Sequence, residues 1–85
     1  MCTNIAAKLP LSGSAKGAEG WFSLEQAYVS YDHPVHAPLV HALNLDFVNE
    51  AAGMGTRVAV ELTRESAAAL AHSILAALEE GKDHA

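Results

Sequence analysis

The chain has 85 residues, a formal net charge of −5 and a pI near 5.3. That length holds one domain, residues 1–85. With only 5 Lys and Arg, it lacks the basic stripe that a nucleic-acid backbone or an anionic membrane would require, so neither is an expected partner.

A single cysteine, Cys2, excludes an intrachain disulfide and fits a reducing compartment. No apolar run reaches the ~18 residues of a membrane span, and the N-terminus lacks a charged region followed by an apolar one. The cytoplasm is the expected location. A domain of this size buries only about 60% of its unfolded surface. Small domains therefore lean on a metal, on disulfides or on a partner subunit. With disulfides excluded, metal and self-association remain.

In chain order, Thr3–Leu11 alternates, with Ile5, Ala7, Leu9 and Leu11 on one parity. Pro10 cannot donate to a ladder, which marks this first strand as an edge strand. Ser12–Gly20 is rich in Gly, Ser and Ala and reads as a mobile loop or a ligand-covering flap. Trp21–Tyr31 reads as a second strand, with Leu24, Gln26 and Tyr28 on one face and Ala27, Val29 and Tyr31 on the other. Asp32–Val40 contains Pro34 and Pro38 and reads as a histidine-rich loop.

His41–Asn49 alternates again. Leu43, Leu45 and Phe47 face one way; Ala42, Asn44 and Asp46 face the other. Glu50–Gly55 is a turn. Thr56–Leu62 is a fourth strand, with Val58, Val60 and Leu62 inward and Arg57 and Glu61 outward. Thr63 suits a helix N-cap, and Glu65 sits well in the first turn. Ala67, Leu70, Ala71, Ile74, Ala77 and Leu78 form one helical stripe, and Gly81 ends the helix. Lys82–Ala85 reads as a frayed tail.

The expected fold is α+β, a small antiparallel four-stranded sheet followed by one C-terminal helix. A helix of about 17 residues spans ~25 Å and covers only part of such a sheet. Exposed apolar surface then predicts a homodimer or higher oligomer. A sheet that curls to close on itself is the alternative.

Tyr31–His41 carries three of the five histidines, His33, His36 and His41. Imidazole is the commonest metal ligand, and three protein ligands leave a catalytic ion one open position. The expected cofactor is a divalent transition metal: zinc, iron, copper or nickel. Spacings of three and five residues match no zinc-finger or metalloprotease pattern, and solvated loop histidines would read the same way. Asp32 or Asp46 could orient an imidazole, and Tyr31 or Tyr28 could bring a phenol. Asn44, Asp46, Asn49 and Glu50 read as a solvated outer face. His72 reads as surface or interface, and His84 as part of the tail. The Gly-rich segment shows no phosphate-binding pattern.

Removal of Met1 would give Cys2 a free α-amine beside its thiol. Such a residue serves as a nucleophile or as a metal ligand. An incidental residue in a frayed terminus is the alternative.

Three stretches, "MCTNIAAKLPLSGSAKGAEGW", "VSYDHPVHAPLVHALNLDFVNE" and "RVAVELTRESAAALAHSILAALEEG", together resemble a family of small bacterial proteins of unknown function. The resemblance covers nearly the whole chain and is most specific in its middle. It implies that Cys2 and the histidine segment are the distinctive features of the family. It implies no activity.

Three functions follow. The first is a small metal-binding protein, whose finer form is a metal-dependent enzyme acting on a small molecule. Its ligands would be His33, His36 and His41, with Cys2 as a fourth, and Tyr31 or Asp32 would assist proton transfer to a metal-bound water. The second is a non-catalytic accessory module that binds another protein. The third is a metal-free enzyme with Cys2 as nucleophile and a histidine base.

Overall fold

Alternation of apolar and polar residues, broken by glycine and proline, gives four strands, and a Thr-capped Ala/Leu segment gives one helix. The computed structural model describes residues 5–53 and 56–84. The strands are β1 (Ile5–Gly17), β2 (Gly20–Asp32), β3 (Ala42–Val48) and β4 (Arg57–Leu62); the helix is α1 (Arg64–Glu80). All neighbours are antiparallel and the sheet order is β1-β2-β3-β4. This is the expected four-stranded sheet followed by one C-terminal helix.

The first hairpin differs from expectation. Residues 12–17, read as loop, continue β1, and only Ala18 and Glu19 turn the chain. Gly17 pairs with Gly20, whose φ of 112° lies where side chains are disfavoured. The register shifts between Pro10 and Gly13. The irregularity follows directly on Pro10, which has no N–H to give the ladder and sits on the edge strand, where proline is tolerated.

Register fixes the two faces. Val29 pairs with Leu45 and Leu45 with Val60; Ala27 pairs with Phe47 and Phe47 with Val58; Tyr31 pairs with Leu43 and Leu43 with Leu62. These residues form an apolar face. Ser30, Asn44 and Glu61 pair in the same way on the other face, as do Tyr28, Asp46 and Ala59. Among the described residues the buried hydrophobic side chains are Ala27, Ala42 and Val48, and no large side chain is fully buried.

The helix forms as its caps dictate. Thr63 Oγ1 accepts the Ser66 N–H at 3.1 Å, and the Gly81 N–H reaches the Ala77 carbonyl at 2.9 Å. Its packing does not follow the expected stripe. Ala67 is half-buried, but every residue from Ala68 to Glu80 is exposed. The cause is the connection. Thr63 alone joins β4 to α1, whereas a helix that folds back over its own strand commonly uses 2–6 connecting residues. The tail is ordered as a short 3₁₀ turn, Lys82–His84, with the His84 N–H on the Gly81 carbonyl at 2.9 Å. No helix among the described residues is long and apolar enough to cross a membrane.

Candidate functional site

Pro34 and Pro38 keep the β2–β3 connection irregular, so its backbone N–H groups need partners from elsewhere. Glu61 supplies them. Its carboxylate accepts the N–H of Val35 at 2.6 Å, of Ala37 at 2.7 Å and of His36 at 3.1 Å. Glu61 can reach because β4 lies beside β3, with Glu61 paired to Asn44 on the polar face. The carboxylate is held below its ordinary pKa, mainly by the Ala37 N–H, with the Val35 and His36 N–H groups and the His36 charge adding to it; desolvation opposes the shift.

Two further contacts close the loop. Asp32 Oδ1 accepts the His33 N–H at 2.7 Å, and His33 Nδ1 meets the Val40 carbonyl at 2.7 Å. A carbonyl can only accept, so His33 carries a proton on Nδ1.

The three histidines do not converge. The His33 and His41 rings stack with centroids 5.0 Å apart and planes 21° apart. Tyr31 also stacks with His41, at 5.7 Å and 15°. Imidazole lone pairs lie in the ring plane, so stacked rings hold them in near-parallel planes and not aimed together at one ion about 2.0–2.1 Å away. Among the described residues no three His, Cys, Asp or Glu side chains are grouped to hold a metal ion. Cys2 lies outside the described residues.

Tyr28 is remote from this stack. It points from the opposite face, where its hydroxyl donates to Glu50 Oε1 at 2.9 Å and Gln26 Nε2 also contacts Glu50. Asp46 holds Arg57, whose Nε and terminal nitrogen both reach Oδ1, at 2.8 and 2.7 Å. The sequence reading thus missed Glu61, Arg57 and the work done by Asp46 and Glu50. Register was the signal available: in a four-strand meander, Ser30, Asn44 and Glu61 must line up across one face.

Under the pinned loop lies an open cleft of about 740 Å³. Its sheet side carries Ser30, Asp32, Asn44, Asp46, Arg57 and Glu61; its loop side carries His33, Val35, His36 and Ala37.

A family model described as "Family of unknown function (DUF6295)" matches residues 1–85. The chain belongs to this family. The DUF6295 match spans both the histidine loop and the helix. No curated protein and no solved structure matches the chain.

Proposed function

We propose that this protein binds a small hydrophilic molecule in the cleft beneath the histidine loop. One observation carries the reading: the Glu61 carboxylate takes three successive loop N–H groups. The loop is thereby fixed in advance as one wall of a cleft whose floor is the polar sheet face. Such preorganisation lowers the ordering cost of binding, and the volume lies in the range of small-molecule sites.

The chemistry of the walls suggests the ligand class. Asp32, Asp46 and Glu61 outweigh Arg57 in charge, so hydroxyl or amine groups suit the cleft better than an anion. A transition metal enters this reading only through a rearrangement that unstacks His33 from His41.

The test is an amide-shift titration of the full chain with small polyols, amino sugars and primary amines. Shifts gathering on Ser30, Asp32, Asn44 and His36, and weakened in Asp46→Ala, support the site. A folded protein that binds none of these probes at millimolar concentration, or binds them on the other sheet face, sinks it.

A further inference from the structure

A second surface of this chain lies on the side away from the cleft and is independent of whether the cleft is occupied. At 100° per residue, Ala67, Leu70, Ala71, Ile74, Leu75 and Leu78 of α1 fall on one half of the wheel, and Glu65, His72, Glu79 and Glu80 on the other. An apolar half this broad is the mark of a helix that packs on something. Yet Leu70 is 45% exposed, Ile74 51%, Leu75 64% and Leu78 65%.

The apolar sheet face is also incompletely covered. Val29, Leu45, Phe47, Val58 and Val60 are each only half-buried. The radius of gyration is 14.4 Å, against about 12 Å for a compact domain of this length. The chain therefore displays a helix in need of a sheet and a sheet in need of a helix. The single-residue link at Thr63 keeps the two from meeting within one chain.

The two surfaces open on the same side. The Arg64 guanidinium sits 5.9 Å from the centre of the Tyr31 ring, which belongs to the apolar face. Residues seven apart share a helix side, so Ala71 and Leu78 follow Arg64 along that side. The apolar half of the helix and the apolar sheet face thus border one corner.

We infer that two copies of this chain exchange helices, each laying the apolar half of α1 across the apolar sheet face of the other. The lengths agree. Seventeen helical residues extend ~25 Å, and the seven residues of β3 extend ~23 Å. The area agrees as well. One helix on a sheet covers a strip of ~25 by ~10 Å, and two reciprocal contacts, counting both surfaces of each, bury on the order of 1,000 Å², the lower bound of a specific interface. A simple pairing of helix with helix would bury about half as much and leave both sheet faces bare. A twofold exchange uses each surface once in both copies.

The experiment uses the full chain. Sedimentation should give twice the chain mass, and the wild-type melting temperature should rise with protein concentration, as mass action requires for a folded dimer. The arrangement is read by cross-linking in a Cys2→Ser background. Chains carrying Ile74→Cys are mixed with mass-tagged chains carrying Leu45→Cys and oxidised. Exchange predicts the mixed 74–45 dimer as the main product. It is overturned by 74–74 dimers without the mixed product, by a 74–45 bridge inside one monomer of the double variant, or by a melting temperature that does not move over a hundredfold concentration range. Recovery of the helix on a different protein, in a one-to-one complex that excludes the second copy, also overturns it.

Discussion

Glu61 and Ala37 are 24 positions apart in sequence and 2.7 Å apart as carboxylate and backbone N–H. Through that contact and its two neighbours, one side chain on β4 sets the shape of a loop that begins after β2. Replacing it with glutamine keeps the size and one acceptor oxygen but removes the charge. Charge-assisted bonds are about twice as strong as neutral ones. In Glu61→Gln, the amides of Val35, His36 and Ala37 should exchange with solvent faster than in the wild type, while those of the β2–β3 ladder stay unchanged. Equal exchange at all three would show that the loop is held by its prolines instead.

The same contact makes the loop sensitive to acid. The folded pKa of Glu61 lies below its ordinary value of 4.5, so the unfolded or released state binds the proton more readily. The contribution of the clamp is then complete above about pH 4.5 and fades as the pH falls through the lower, folded-state value. Amide shifts of residues 35–37 should follow this titration below pH 4.5, and Glu61→Gln should abolish it. A loop that loosens between pH 6 and 8 would contradict the assignment.

Much of the fold was legible because it depends on local rules. Thr63, Glu65 and Gly81 marked the helix ends, and the alternation of Leu43, Leu45 and Phe47 marked a strand with one apolar face. Residues 12–17 were misread because Gly13, Gly17 and the serines carry little strand preference; it is pairing to β2 that holds them extended. The direction of the helix was also out of reach. Its stripe says that it packs, but not against which chain. At the site, His33, His36 and His41 were legible as a cluster in sequence, but the stacking of two of the rings depends on where the loop ends meet. Glu61 read as an outward strand residue because its partners are backbone groups, which leave no side-chain pattern.

The helix cap offers a separate test of local stability. Thr63 supplies the hydroxyl that accepts the Ser66 N–H. Thr63→Ala should cost about 1 kcal/mol, which lowers the melting temperature by roughly 4–8 °C for a domain of this size. Thr63→Ser should recover most of the loss. Calorimetry on the three proteins at one concentration reads the difference. An alanine variant as stable as the wild type would mean that packing of the helix, not its cap, fixes where it starts.

Stacking of His33 on His41, at 5.0 Å, makes a last prediction about metal. Protein purified without a histidine tag should hold well under one equivalent of zinc, iron, copper or nickel, and His36→Ala should leave that content unchanged. The reason is directional. Each imidazole offers one in-plane lone pair, that of His33 lies on Nε2 because Nδ1 donates to the Val40 carbonyl, and the ring of His41 stacks with those of His33 and Tyr31, which holds the lone pairs of the two imidazoles in near-parallel planes. Binding would require breaking that stack, which zinc titration followed through the ring-proton shifts of His33 and His41 would reveal. A stoichiometric metal lost in His36→Ala would mean that the loop adopts a second arrangement in which the rings turn inward together.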